Sequence, residues 1–277
     1  HKTDFPIFYD YAFSMSADQL NHGIGHSMVT RLRASGIHFV ISATVAFIVA
    51  GLVFWLWYPT PHQHLSGGID LFVLLISVDL VIGPLLTLIV FNLSKPRREL
   101  VRDLFIIAIL QAAALMYGMH VVFQARPVHV VFEYTRFRVV YASDLLPEFL
   151  NKAPEAMRHL PWTGPTFLSV RPMRAEEKLD ILLQELSGFP LANRADMWQP
   201  YAEAASNAAA IGKSVTDLMP RLTSAQQASI RALMAQKNLS EKDVVYVPLL
   251  SRSPQVAAVL VEAHSGQILM VLDTSIE

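Results

Sequence analysis

The sequence predicts a membrane protein, with three transmembrane α-helices followed by a periplasmic α+β domain built on an antiparallel sheet. Three observations carry this. Hydrophobic residues make up 53% of the 277 and charged residues only 16%, where a soluble domain carries roughly 25% charged residues. Three apolar runs of membrane length follow one another between residues 37 and 123. Beyond Arg126 the composition changes and charges recur every few residues.

The first run, residues 37–58, holds no Lys, Arg, Asp or Glu. At about 1.5 Å rise per residue it covers the roughly 30 Å hydrocarbon core of a bilayer. Trp55, Trp57 and Tyr58 cluster at its end, where amphipathic rings prefer the interface. Pro59 and Pro61 then stop the helix. The second and third runs are residues 69–91 and 104–123. The first is too long for the apolar part of a cleaved signal and lacks a small-x-small site, so it reads as an uncleaved signal anchor. Residues 1–27 are aromatic and polar without clear period. His22 and His26 have helical spacing, but Gly23 and Gly25 argue against a helix there. Met28 with the Val-Thr-Arg-Leu-Arg after it has the look of a native start, which makes residues 1–27 an extension.

Basic residues set the orientation. Arg31 and Arg33 precede the first span, and the first loop carries no Lys or Arg. The second loop carries Lys95, Arg97, Arg98 and Arg102. Short basic loops stay in the cytoplasm. Residues 1–36 are therefore expected inside, the three-helix region at 37–123, and residues 127–277 outside. Arg126 dissents alone.

Residues 128–134 and 137–141 are β-rich and read as a hairpin, with a weaker strand at 166–170. Residues 174–186 form a helical pattern with Leu179, Leu182, Leu183 and Leu186 on one face, ended by Gly188. The alanine-rich stretch 201–215 reads as helix. So does 223–237, with Ser224 and Gln227 fitting a capping box and Ile230, Leu233 and Met234 facing the core. Residues 244–250 form a strand whose Pro248 places it at an edge or bulge. Residues 256–263 and 267–272 flank His264-Ser265-Gly266 as a hairpin.

Composition also excludes. There is no cysteine, so disulfides, thiol nucleophiles and thiolate metal sites are ruled out. A net charge of −1 gives no reason to expect nucleic acid. No nucleophile elbow, zincin motif or phosphate loop occurs. His62 and His64 have metal-ligand spacing on a strand but no third ligand nearby, and read as solvated loop residues. No cofactor, no metal and no enzyme activity are expected.

The residues that stand out lie inside the spans. Asp79 falls at the centre of the second. A central Asp costs about 2.5–3.5 kcal/mol on the insertion scale, which the surrounding aliphatics offset. Asp79, Gly83 and Thr87 share a face at i, i+4 and i+8. Pro84 cannot donate to the Leu80 carbonyl, so a kink is expected. Gln111 in span three lies at similar depth and is the natural hydrogen-bond partner. This face serves as glue within the bundle, docks another transmembrane helix, or carries a proton.

Several stretches resemble the TfpX/TfpZ family of type IV pilin accessory proteins. They are FWLWYPTP at the end of span one, VDLVIGPLLTLIVFN in span two, the basic loop KPRRELVRDL, LFIIAILQAAALMYG in span three, and the exit segment VVFQARPVHVVFEYTRFRVVYASDL. The closing VEAHSGQILMVLD is similar too. The resemblance implies a bacterial inner-membrane protein that assists the stability or assembly of the major pilin. It also implies the partner's form: an apolar N-terminal helix in the membrane and a globular head in the periplasm. Besides that pilin, the only partner expected is the lipid bilayer. The alternative is a membrane-anchored sensor or enzyme whose periplasmic domain handles a small ligand.

Overall fold

The structure is a computed structural model that describes residues 8–60, 68–252 and 256–274. The first loop, with His62 and His64, lies outside the described residues. The chain divides into two compact units. One comprises His1–Val49 and Val73–Met119, the other Ala50–Phe72 and His120–Glu277.

Helix α1 runs over Phe8–Leu52 and closes in a π-helical turn, Val53–Trp57. It passes through Gly23 and Gly25, against the expectation of no helix there. Each glycine costs about 1 kcal/mol, but an already nucleated helix lengthens at the gain of one hydrogen bond per residue. Helix α2, Gly68–Val90, continues through Pro84. Helix α3, Arg97–Gln124, begins inside the expected basic loop, so Arg97, Arg98 and Arg102 occupy its first turns. All three helices are long and apolar enough to cross a membrane.

The second unit holds an eight-stranded sheet: β1 (Pro127–Phe132), β2 (Phe137–Tyr141), β3 (Thr166–Val170), β4 (Trp198–Pro200), β5 (Lys213–Ser214), β6 (Val244–Leu250), β7 (Val256–Glu262) and β8 (Ile268–Thr274). The order is β4-β3-β1-β2-β6-β7-β8, with β5 beside β6. Most pairs are antiparallel. The two exceptions, β1 with β3 and β2 with β6, join strands far apart in sequence. Along β7 side chains alternate by strand period: Val259 and Val261 join Val130 and Phe132 in one core, and Ala258 and Leu260 fill another, while in β1 an irregularity between Pro127 and His129 puts Val128 in a third core with Val131. The β1–β2 turn is pinned by buried Glu133, which accepts hydrogen bonds from Arg136, Arg138 and the Ala192 N–H.

Helices α4 (Lys178–Leu186), α5 (Ala205–Ile211) and α6 (Ser224–Lys237) connect the strands. Two readings of this part of the chain are revised. The α6 capping box uses Thr223 and Gln226, one residue earlier than read, because the Gln227 side chain instead donates to the Met219 and Leu222 carbonyls. Pro248 lies in an interior strand, not at an edge. On that side β6 changes partner from β5 at Val245 and Tyr246 to β2 at Leu249 and Leu250. The residue without an N–H falls in the gap between them. In α4 the leucines do not face the core. Ile181 is buried, whereas Leu179 (67% exposed), Leu182, Leu183 and Leu186 (76%) lie open. The opposite face is fixed by polar pairs: Glu177, one residue before the helix, binds Arg171, and Asp180 and Gln184 receive Arg194.

Glycine is required at two turns. Gly188 ends α4 at φ +88°. Gly266 in the β7–β8 loop has φ +71°, and a Cβ there would meet the Ala205 carbonyl oxygen at 2.0 Å. Only a residue without Cβ is free of strain in both respects.

His129 on β1 is buried, bonded through Nδ1 to the Thr166 hydroxyl (2.8 Å) and packed edge-on against Trp198. Burial pushes its pKa down to about 4. The folded state thus prefers the neutral ring. Stability is unaffected above the unfolded pKa of about 6.5 and is lost as pH falls from there toward 4. At about 1.4 kcal/mol per pKa unit, the full loss is about 3.5 kcal/mol. Thermal unfolding of the whole chain in detergent should show a midpoint that drops between pH 6.5 and 4, and His129→Phe should flatten that part of the profile. A wild-type profile flat across this range would contradict the assignment.

Candidate functional site

The residues that sequence reading singled out inside the membrane come together in the first unit. Asp79 sits at the midpoint of the 23-residue helix α2. Ile76, Asp79, Gly83, Pro84 and Thr87 are buried, while Val81, Ile82, Leu85 and Ile89 on the other side are exposed. One side of α2 thus faces protein and the other is apolar and open, as a span beside lipid requires.

Gln111 reaches across from α3. Its side-chain Nε2 lies 3.4 Å from the Asp79 backbone carbonyl, a long hydrogen bond, and does not pair with the carboxylate. Gly83 makes room for it: a Cβ there would stand 2.0 Å from Gln111 Nε2. A second close approach lies higher on the same pair of helices, where Gly118 takes the Leu75 side chain.

Helix α1 supplies the third wall. Its His38 Nδ1 lies 2.5 Å from the Thr87 hydroxyl, and the Ser35 hydroxyl donates to the Pro84 carbonyl at 2.8 Å. Ser and Thr hydroxyls and small residues are what let helices approach and bond in lipid. The Asp79 Oδ1 atom is different. It is buried and has no hydrogen-bond partner among the described residues. Around it lies a cavity of about 290 Å³, bordered by His38, Ser42, Ala46, Asp79, Gln111 and Ala112.

Sequence reading missed His38 and Ser35. The search for charge in span one counted Lys, Arg, Asp and Glu, and a neutral histidine passes that filter. The signal was present: His38 stands four residues before Ser42 and three after Ser35, on one helical face. The basic residues lie apart from this seam. Arg97, Arg98 and Arg102 are exposed, and Lys95 forms an ion pair with Asp103 at 2.8 Å. In the second unit, Arg126 is buried, stacked on the Phe123 ring and bonded to the Phe123 and Pro161 carbonyls. That packing accounts for a cation on the side where few are expected. Among the described residues no group of three His, Asp or Glu side chains is placed to hold a metal.

A family described as "Fimbrial assembly protein FimB" matches residues 26–67. The match takes in the α1 residues Ser35 and His38 that wall the seam. A fimbrial assembly protein of Dichelobacter nodosus serogroup I is 34% identical over 220 residues, covering 79% of this chain and 86% of the relative. The chain belongs to the fimbrial assembly protein family. The serogroup E1 protein of the same organism matches to the same extent. The protein of serogroups C1 and C2 is 43% identical over 124 residues, 45% of this chain and 92% of the relative. No solved structure matches. These relatives are named for fimbrial assembly and not for an enzyme activity.

The Gly83–Gln111 contact makes a measurable coupling. Gly83→Ala displaces the Gln111 amide from the Asp79 carbonyl, and Gln111→Ala removes the amide outright. In a double-mutant cycle on detergent-solubilised protein, Gly83→Ala should destabilise the wild type by about 1 kcal/mol more than it destabilises the Gln111→Ala background. Additive effects would show that the two residues do not meet.

Proposed function

We propose that this chain is an inner-membrane accessory protein that binds the major type IV pilin and promotes its stability or its assembly into pili. Its N-terminus is cytoplasmic and residues 127–277 are periplasmic. The observation that carries the reading is the similarity to fimbrial assembly proteins over 79% of the chain. A match of that length, wherever it falls in the chain, takes in α2, α3 and the strands β1 to β4. The finer resemblance to TfpX/TfpZ pilin accessory proteins supplies the partner.

The architecture suits such a client. A subunit with an apolar membrane helix and a folded head needs a helper that meets both parts. Three membrane-length helices meet the first. An exported domain with an open apolar face meets the second: four exposed leucines on the nine-residue α4 form a surface that an isolated domain rarely leaves bare. The orientation rests on the four basic residues of the second loop against none in the first.

A photo-crosslinking amino acid at Leu182 tests this reading in whole cells. We expect an adduct of the chain with the major pilin, and we expect protease added to spheroplasts to digest it. A protected adduct would overturn the orientation. Absence of any pilin adduct, with the variant present at wild-type level, would overturn the partner.

A further inference from the structure

The geometry points to the cleft around Asp79 as the place where the membrane helix of the client docks, by donating a hydrogen bond from a polar side chain or amine at mid-bilayer depth to the Asp79 carboxylate. This rests on the pilin reading above and adds the site and its chemistry.

The argument starts from an unsatisfied group. Asp79 is 9% exposed and its Oδ1 has no partner among the described residues. At this depth there is no water to supply one, and an unpaired buried polar group costs several kcal/mol. Gln111 donates to the Asp79 backbone carbonyl, and His38 is bonded through Nδ1 to Thr87. An acceptor has been left vacant beside an open space, and what fills that space should bring a donor.

The shape of the space selects the donor's carrier. The 290 Å³ cavity shares His38, Ile41 and Ala108 with a second one of about 580 Å³. The pair follows α1 from Thr30 to Ala46 and is bordered by α2 and α3. Thr30 and Ala46 stand about 24 Å apart along the helix, and residues 37–46 of that length belong to the first apolar run. The larger cavity is lined almost wholly by apolar groups. A rod with an apolar surface and one polar group fits both parts. A lipid acyl chain fits the apolar length but seals Asp79 with no donor. A small polar solute fits Asp79 but leaves the apolar length empty. A transmembrane helix carrying one donor satisfies both, and interhelical hydrogen bonds of this kind hold helices together in lipid.

The chain has no native cysteine and the test needs none. A photo-crosslinking amino acid is placed at Ser42 in the cleft of the full-length protein, with a control at Phe47, which is 81% exposed. The major pilin should be captured from Ser42 and not from Phe47. Asp79→Leu removes the acceptor, and Ala112→Phe fills the cleft from α3 without touching Asp79. Each should lower the Ser42 adduct at least about tenfold, which corresponds to about 1.4 kcal/mol, while capture from Leu182 persists. Asp79→Asn keeps a carbonyl acceptor and should retain most of the adduct. Variant abundance is measured beside each, and Ala112→Phe decides the matter if Asp79→Leu fails to accumulate. A Ser42 adduct unchanged by Ala112→Phe overturns the docking site and leaves the pilin reading standing. Capture from Ser42 of only lipid, or of a second copy of this chain, also overturns it. Loss of pilin capture from Leu182 in the otherwise unaltered protein overturns the underlying reading, and the docking site with it.

Discussion

A carboxylate halfway across a membrane helix is the constraint around which the first unit is arranged. Hydrocarbon offers it no hydrogen bonds, so Asp79 must turn toward protein, and that sets which side of α2 is buried. The rest of the seam follows the same rule of satisfying polar groups locally. Gly83 is small so that Gln111 can reach the Asp79 backbone. Thr87 is bonded to His38, and the Pro84 carbonyl is taken by Ser35. Each contact uses a small or hydroxylated residue where two helices come close. The exception is the carboxylate itself, which the chain leaves unbonded.

The second unit is governed by water instead of lipid. Its sheet separates cores on both faces, and its polar side chains fix what apolar burial alone leaves free. Glu133 ties a hairpin to a distant loop through two arginines and one backbone N–H. Arg171 and Arg194 seat α4 by their carboxylate and amide partners, and that choice of seat turns its leucines outward. Helix α4 is amphipathic in sequence, yet its apolar stripe and its buried side are different faces.

The membrane half was legible because its signals are long and redundant. Twenty apolar residues in a row admit few readings, and three helices long and apolar enough to cross a membrane follow one another in the expected order. Asp79 was legible for the same reason, since one charge in such a run stands out. His38 was not, because a count of Lys, Arg, Asp and Glu passes over a histidine. In the exported half the strands were visible in β-rich runs and in the Gly266 turn. The parallel junctions β1–β3 and β2–β6 were not, because pairing between distant strands leaves no local mark. Pro248 was misplaced for a related reason: its tolerance inside the sheet comes from where β5 ends and β2 begins beside it. Periodicity put the leucines of α4 on one face, which records that a face is apolar and not what covers it.

The protein belongs to the fimbrial assembly family, and the role we propose for it is to act on the pilus subunit while that subunit is still in the bilayer. The most direct measurement is the amount of pilin on the cell surface against the total in the membrane, in a strain deleted for this chain and in the same strain supplied with it. The account predicts that deletion lowers surface pilin severalfold at unchanged pilin transcript, and that the wild-type chain restores it. Surface pilin at the parental level in the deletion strain would contradict it.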